Sequence, residues 1–249
     1  MRKGMTVRTC LAYGLFFGML MCSACATAPY DRHLYETACT VPDLQLAESW
    51  ELLVESRSAP GGCGLNDQGQ NVCRALKAEI ERIAFVCPNH LPSLMTSAVL
   101  AYEGGERVKA LQRLNTIFDL VTVHPDAATL RARIALEEGN APFALMFLKE
   151  HLELSLDHAP LREAYAAAMF LSGDLEGAET QLKIAEKLGA PRWRIAYHLG
   201  LFEERQGREQ NARHLYREAS DLRPGWGVPL SRLKGLLAVP ASAHTQSDE

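Results

Sequence analysis

The 249-residue sequence lacks the short motifs by which most catalytic sites are recognised. It has no glycine-rich phosphate loop, no nucleophile elbow around a serine and no helix with paired histidines for a metal ion. Adjacent acids such as Glu137 and Glu138 do not face one another on a helix, so they form no catalytic pair. We therefore expect a protein that is not an enzyme and that uses no cofactor.

The sequence also has a small net charge of −4 and no apolar run long enough to cross a membrane. The run at residues 10–21 has about 12 residues, whereas a membrane-spanning helix needs about 20. It follows Arg2, Lys3 and Arg8 and precedes small residues, which is the three-part plan of an export signal. Without residues 1–24, 23 Lys and Arg face 30 Asp and Glu, a net charge of about −7. Such an acidic chain does not favour nucleic acid as a partner.

Residues 22–25, with the sequence CSAC, resemble the lipobox of bacterial lipoproteins. The resemblance implies cleavage of a signal peptide, residues 1–24, and acylation of Cys25 with fatty acids such as palmitate. Cys22 stands where the motif usually has Leu, and ordinary signal cleavage is the alternative. Several acyl chains give stable membrane attachment, whereas one chain alone binds marginally. Ala26 in place of Asp resembles the outer-membrane sorting pattern, so we expect a lipid-anchored protein of the outer membrane that faces the periplasm.

Four further cysteines precede the regular part of the chain: Cys39, Cys63, Cys73 and Cys87. An even number of cysteines in an exported chain favours disulfides. Residues 43–56 and 71–86 have the apolar spacing of helices. If these helices pair antiparallel, Cys39 lies beside Cys87 at their outer ends. Cys63 then lies beside Cys73 at the loop ends, and we predict these two disulfides. The alternative, which lacks the paired short spacings of zinc modules, is a zinc site made of Cys63, Cys73, Cys87 and His90.

The second half of the chain repeats every 34 residues. Glycines recur at this spacing, each followed five residues later by an alanine: Gly105, Gly139, Gly173 and Gly207, then Ala110, Ala144, Ala178 and Ala212. Two more sets of positions keep the same spacing: Ala98, Ala132, Ala166 and Gly200, and Leu114, Leu148, Leu182 and Tyr216. A helix pair of about 34 residues cannot bury its apolar face alone, so such pairs stack, with small residues where two backbones approach closely. The spacing predicts an array of four helix pairs.

The last unit of this pattern resembles the tetratricopeptide repeat. Its Leu-Gly, Gly, Ala, aromatic, Ala and Pro positions are similar to Leu199, Gly200, Gly207, Ala212, Tyr216, Ala219 and Pro224. The resemblance implies an all-α fold, a right-handed α-solenoid of helix pairs at residues 91–224. The family's tryptophan in the first turn is missing, which weakens the transfer of a ligand class. Around the array we expect a lipidated tether at 25–42, a disulfide-clamped helical hairpin cap at 43–90, a capping helix at 225–238 and a disordered tail at 239–249.

Ligands of tetratricopeptide-repeat proteins usually lie along the concave face formed by the first helix of each pair. This resemblance implies a partner-binding groove at Met95, Val99, Tyr102, Arg133, Leu136, Phe170, Tyr197 and Leu201. Tyr102, Phe170 and Tyr197 are candidate anchors, because aromatic side chains dominate the binding energy in grooves. The alternative is that these rings only fill the space between repeats.

The resemblance to repeat lipoproteins implies a function in the cell envelope. We expect a non-enzymatic, lipid-anchored scaffold that binds envelope proteins through its concave face. Such a pilotin-like protein would assist assembly of secretion or motility machinery. The alternative function is that of a periplasmic adaptor or regulator of a cell-wall enzyme.

Overall fold

The computed structural model describes residues 39–238. The predicted signal peptide, the Cys25 anchor and the 239–249 tail lie outside this part of the chain. The described residues form eleven α-helices, and their only β-structure is an isolated bridge between Leu65 and Asn71. This architecture confirms the predicted all-α fold class. None of these eleven helices is long and apolar enough to span a membrane.

The chain divides into two compact units. Unit 1, described from residue 39 to 88, contains the helices α1 (Pro42–Ser58) and α2 (Val72–Val86). Unit 2, described from residue 89 to 238, contains four helix pairs and a final helix. The pairs are α3 (Leu91–Glu103) with α4 (Arg107–Leu120), α5 (Pro125–Glu137) with α6 (Ala141–Leu154), α7 (Ala159–Leu171) with α8 (Leu175–Lys187), and α9 (Arg192–Arg205) with α10 (Glu209–Leu222); α11 is Val228–Ala238.

Two disulfides close the helical hairpin of unit 1. Cys39 is bonded to Cys87, with their Cα atoms 5.6 Å apart. Cys63 is bonded to Cys73, with their Cα atoms 5.4 Å apart. These are the pairs that the antiparallel arrangement predicts, and they leave none of the four thiols for the alternative zinc site. The capping role of the hairpin stays a prediction.

The two helices of unit 1 bury narrow stripes. On α1, Leu46, Ser49 and Leu53 are buried, whereas Trp50 is 36% exposed. Leu53 therefore lies at the centre of the buried side, with the small Ser49 at one edge and the large Trp50 at the other. On α2, Ile80, Ile83 and their neighbours are buried, and the side chain of Asn71 caps the helix by accepting a hydrogen bond from the backbone of Arg74 at 3.0 Å.

A glycine with positive φ follows the first helix of every pair in unit 2. The φ angle is 77° at Gly105 and at Gly139, 91° at Gly173 and 73° at Gly207. Residues with a Cβ atom seldom adopt this conformation, which explains the 34-residue spacing of glycine. At each turn, the next backbone N–H donates to the carbonyl five residues earlier, as Glu106 does to Ala101 at 2.8 Å. The turn lets the second helix pack beside the first.

The other repeated positions form the core of unit 2. A Cβ atom on Gly200 would lie only 2.6 Å from the ring of Tyr216, so the last pair needs glycine there. The corresponding residues of the first three pairs are at most 1% exposed: Ala98, Ala132 and Ala166, with Leu114, Leu148 and Leu182. The small and large residues that recur in the sequence are therefore the ones that the helix pairs bury.

A further 34-residue pattern, which the sequence interpretation missed, consists of histidines before the first helices. His90, His124 and His158 directly precede α3, α5 and α7. Nδ1 of His124 accepts a hydrogen bond from the backbone of Ala127 at 3.2 Å. Nδ1 of His158 accepts one from the backbone of Leu161 at 3.1 Å. His124 and His158 thus satisfy first-turn N–H groups that have no partner within the helix.

Candidate protein-binding surfaces

The predicted binding residues lie on the first helices of the pairs, and we call this surface the first-helix face. Met95, Val99 and Tyr102 lie on α3, Arg133 and Leu136 on α5, Phe170 on α7, and Tyr197 and Leu201 on α9. Seven of these side chains are half-buried, whereas the side chain of Arg133 is 66% exposed. Their contacts place several of them in separate local clusters.

Tyr102 belongs to a polar cluster that joins α3 to α5. Its hydroxyl donates a hydrogen bond to the Glu137 carboxylate, and the Arg133 guanidinium lies over its ring, 5.4 Å from the centroid. Arg107 also contacts Glu137, at 3.3 Å. Burial and the Glu137 carboxylate raise the pKa of the Tyr102 hydroxyl, and Arg133 opposes them. Tyr102 therefore has partners inside the array, and Arg133 is its most accessible neighbour.

Phe170 fills space between the third and fourth helix pairs. Its ring stacks on Phe202 of α9, with centroids 4.7 Å apart and planes 10° apart. Arg205 lies over the Phe170 ring, 5.6 Å from its centroid. Leu201 packs against the same core cluster as Phe170. These contacts support the packing role for Phe170, and Leu136 is similarly placed against the core between α5, α6 and α7.

Tyr197 lies in an aromatic cluster near the C-terminal end of the array. The centroid of its ring is 4.8 Å from that of Trp226 and 5.8 Å from that of Tyr216. Trp193 packs edge-on against Trp226 at 4.9 Å. The buried Tyr216 hydroxyl donates to Glu204, and burial together with this carboxylate raises the pKa of Tyr216. Tyr197 thus contributes to the packing of the last repeat.

A buried ion pair on the first-helix face escaped the sequence interpretation. Glu163 of α7 is 6% exposed, and its carboxylate lies 2.6 Å from the guanidinium of Arg194 on α9. Burial raises the pKa of Glu163, and Arg194 opposes that rise. Burial together with the charges of Arg194 and Arg133 lowers the pKa of the neighbouring His198 to about 4. Glu163 and Arg194 are 31 residues apart in the chain. The one signal of this pair in the sequence is that they are opposite charges at groove positions of two successive first helices.

An open groove of about 580 Å³ lies between α6 and α7, and we call it the α6–α7 groove. Its main lining residues are Pro142, Leu145, Met146 and Lys149 of α6 and Tyr165 and Met169 of α7. Asp174, just before α8, closes one end. At 3.6 residues per turn, Tyr165 and Met169 lie on the side of α7 opposite to Glu163 and the first-helix face. The repeat spacing of the first helices' inner positions does not indicate this groove, because its lining comes from α6 and from the other side of α7.

Solved structures of tetratricopeptide-repeat proteins resemble this helix-pair array. TTC0263 from Thermus thermophilus superposes with a TM-score of 0.62 at 20% identity, over 80% of this chain and 100% of its own. A tetratricopeptide repeat protein from Parabacteroides merdae gives 0.58 at 15% identity, over 86% of this chain and 89% of its own. MamA from Desulfovibrio magneticus gives 0.51 at 16% identity, over 75% and 97%. This chain has the tetratricopeptide-repeat fold. No protein-family model matches it, and no curated protein does either.

The tetratricopeptide-repeat array offers surfaces for contact. Among residues 39–238, no group of three or more His, Cys, Asp or Glu side chains is placed to hold a metal ion. Three of the ionisable groups with shifted pKa values described above, Tyr102, Glu163 and Tyr216, form hydrogen bonds or ion pairs that join neighbouring helices. These contacts link neighbouring helices of the array and fix the side chains involved.

Proposed function

We propose that this protein is a non-enzymatic, lipid-anchored scaffold that holds proteins of the bacterial envelope during assembly of a secretion, pilus or motility complex. The four stacked helix pairs of unit 2 carry this proposal, because contacts join α3 to α5, α5 to α7 and α7 to α9 along the array. Repeat arrays use such extended surfaces to bind other proteins. The partner is expected to meet the first-helix face where Arg133 is exposed.

Features of the N-terminal part support an envelope location. Residues 1–24 have the plan of an export signal, and Cys25 follows a lipobox-like segment. The two disulfides of unit 1 are typical of an oxidising compartment such as the periplasm. A lipid anchor at Cys25 would keep the array at the membrane surface without a spanning helix.

The scaffold function is tested by crosslinking in intact cells and purification from detergent-solubilised envelopes. The wild type is compared with Arg133→Glu and with Arg217→Glu, the same charge change at an exposed position on α10. We expect an outer-membrane pore or motility component to copurify with the wild type and with Arg217→Glu. The same component should not copurify with Arg133→Glu. A cell-wall hydrolase with this pattern would favour the adaptor function instead. Absence of any Arg133-dependent partner would contradict binding by the first-helix face.

The lipid anchor is tested separately by Cys25→Ser. We expect the wild type in the membrane fraction and the variant in the soluble fraction, because the variant has no thiol to acylate. A variant that stays in the membrane fraction with unchanged electrophoretic mobility would show that Cys25 carries no anchor.

A further inference from the structure

The α6–α7 groove interrupts the repeat pattern at one place in the array. Three of its positions hold large apolar residues, Met146, Tyr165 and Met169. The residues 34 positions earlier are Gln112, Arg131 and Ala135, and those 34 positions later are Thr180, Leu199 and Glu203. An apolar set of this size therefore occurs at the middle of the array and at neither neighbouring repeat.

The corresponding surface of the preceding repeat is filled by its own side chains. Phe118 of α4 contacts Phe147 of α6, with ring centroids 5.6 Å apart. Phe147 also stacks on Phe143 at 5.3 Å, and Arg131 lies over the Phe143 ring at 5.7 Å. Aromatic rings and a cation thus cover the position that the α6–α7 groove leaves open.

The corresponding surface of the following repeat is closed by charge. Glu203, at the position of Met169, pairs with Arg208, at the position of Asp174, with an N to O distance of 2.6 Å. Asn211 donates a further hydrogen bond to Glu203 at 2.8 Å. A polar surface of this kind is solvated and presents no apolar floor to a partner.

Gly177 opens the α6–α7 groove. It occupies the position of Phe143, 34 residues later in the chain, and so carries no ring to cover the floor. A Cβ atom there would lie 2.3 Å from Cε of Met169 and 2.4 Å from Oδ2 of Asp174. Glycine inside a helix costs about 1 kcal/mol relative to alanine. Gly177 lets the Met169 side chain lie along the first turn of α8.

The groove has the chemistry of a site for apolar side chains. Met146 is 66% exposed although it is a large apolar residue. Methionine is flexible and polarisable, and surfaces that adapt to partner side chains use it often. The two methionines flank Tyr165, whose ring adds a flat apolar surface with a polar edge. Exposed apolar grooves of this kind mark sites for a partner.

Opposite charges stand at the two ends of the groove. Because α6 and α7 are joined by a short loop and pack antiparallel, Lys149 lies towards Tyr165 and Pro142 lies towards Asp174. Seven residues separate Pro142 from Lys149, a distance of about 10 Å along the helix axis. That length matches about two turns of a helix laid in the groove. A complementary segment carries an acidic residue at one end and a basic residue at the other.

We propose that the α6–α7 groove binds about two turns of an amphipathic helix from a partner protein. Its apolar side chains contact Met146, Tyr165 and Met169, and its acidic and basic residues face Lys149 and Asp174. This site adds a second binding surface to the proposed scaffold, on the side of α7 opposite the first-helix face. Its test uses neither that face nor the lipid anchor, so it fails or succeeds separately from the proposed function.

The sequence offers a direct reporter for this site. Outside residues 1–24, the chain has three methionines, of which Met146 and Met169 line the groove and Met95 lies on the first-helix face. In the full chain labelled with 13C-methyl methionine, single Met→Leu variants assign the NMR signals of these three residues among those of all seven methionines. Met95 then serves as the internal control for binding elsewhere.

The probe is a set of 14-residue helical peptides with leucines along one side. One peptide has Glu at one end and Lys at the other, and a second has Lys at both ends. We expect the Glu/Lys peptide to shift the signals of Met146 and Met169 saturably and to leave Met95 unmoved. Met146→Glu is expected to weaken binding at least tenfold. Val108→Glu, at the 72% exposed apolar position that corresponds to Pro142, is the matched control and should not weaken binding.

Reversing the charge of Lys149 at one end of the groove should reverse the preference between the two peptides. Lys149→Glu should weaken the Glu/Lys peptide about threefold and strengthen the Lys/Lys peptide by a similar factor, as expected for exposed ion pairs. Circular dichroism and thermal denaturation confirm that each variant is folded. The proposal is overturned if no peptide of the set moves the groove signals, or if Met95 moves together with them. It is also overturned if Met146→Glu binds as the wild type does.

Two other possible occupants of the α6–α7 groove would change the methionine signals under different conditions. If the groove signals shift with protein concentration alone and the particle mass doubles, a second copy of this chain occupies the groove and the partner-helix proposal is wrong. If detergent monomers or lipid vesicles move the same signals and compete with the peptide, the groove is a lipid site and the proposal is again wrong.

Discussion

Unit 1 and unit 2 are each stabilised internally by a different kind of interaction. Within its described part, unit 1 buries few large aliphatic side chains, namely Leu46, Leu53, Ile80 and Ile83, and two disulfides close its hairpin. Unit 2 contains no cysteine and instead buries a small and a large residue at the same two repeat positions in every helix pair. A single hairpin buries too little apolar surface to be stable alone, whereas each stacked pair extends the core of the next. Covalent links thus replace packing where the chain has only one helix pair.

The largest expected effect is loss of the longer disulfide. Cys39→Ser with Cys87→Ser removes a link between residues 48 apart and should lower the stability of unit 1 by about 4 kcal/mol. Cys63→Ser with Cys73→Ser removes the disulfide that closes a shorter loop, of residues 10 apart, and should cost about 3 kcal/mol. Hydrogen exchange measured by mass spectrometry resolves the two units. Equal loss of protection in α1–α2 and in α5–α8 would contradict the view that disulfides stabilise unit 1 and that packing alone stabilises unit 2.

Truncation of a core side chain should destabilise unit 2 rather than unit 1. Leu148→Ala removes a fully buried side chain from the α5–α6 pair and should destabilise unit 2 by about 3 kcal/mol, because a cavity remains. Met146→Ala is the matched control on the same helix, since it is exposed and should change stability by less than about 0.5 kcal/mol. Urea denaturation followed by tryptophan fluorescence in a Trp50→Phe background reports on unit 2. Similar losses in both variants would contradict a packed array.

Breaking the buried ion pair should cost somewhat less. Arg194→Met leaves the Glu163 carboxylate buried without its partner and should destabilise unit 2 by about 2 kcal/mol at neutral pH, because Arg194 is itself partly exposed. Glu163→Gln added to this variant should recover part of the loss. Double-mutant denaturation curves measure the coupling between the two residues.

The stability of the single variant Arg194→Met should depend on pH. Burial already raises the pKa of Glu163 above its ordinary value of 4.5, and removal of Arg194 takes away the opposing charge. The folded variant therefore holds its proton more tightly than the unfolded chain does, so its stability falls as pH rises from 4.5 through the raised pKa. Relative to the wild type, the deficit should be smallest in acid. A deficit that does not change with pH would argue against a buried carboxylate.

The smallest expected effect concerns the helix caps. His124→Ala removes the acceptor for the backbone N–H of Ala127 and should cost about 1 kcal/mol. His124→Asn keeps a side-chain acceptor and should cost less. The same tryptophan assay measures both variants, and identical losses would show that the histidine acts through packing rather than as a cap.

Much of the fold was predictable because its causes are local or periodic. The glycines of the turns recur because positive φ is needed at each one, as at Gly105. The small residues recur because a large side chain of the second helix packs against the first helix there, as the ring of Tyr216 does against Gly200. Histidines recur with the same spacing at the start of three first helices, and the side chains of His124 and His158 cap them, yet histidine is an unusual cap and its spacing was not interpreted.

The binding surfaces were less predictable, because they depend on which side chains remain free after packing. Phe170 occupies a groove position by spacing, but its ring stacks on Phe202 from the next first helix. The α6–α7 groove depends on Gly177, whose missing side chain matters only beside Met169.

The sequence by itself determined the helix pairs, their turns and the cysteine pairs, since backbone conformation, apolar spacing and loop length act over short stretches of chain. Only the tertiary structure decided which aromatic rings were engaged, which charges were paired and where apolar surface stayed open. Glu163 and Arg194 meet because α7 stacks beside α9, and no local pattern specifies that distance. Stacking joins residues about one repeat apart, and the free surface of the array is what remains after those contacts are made.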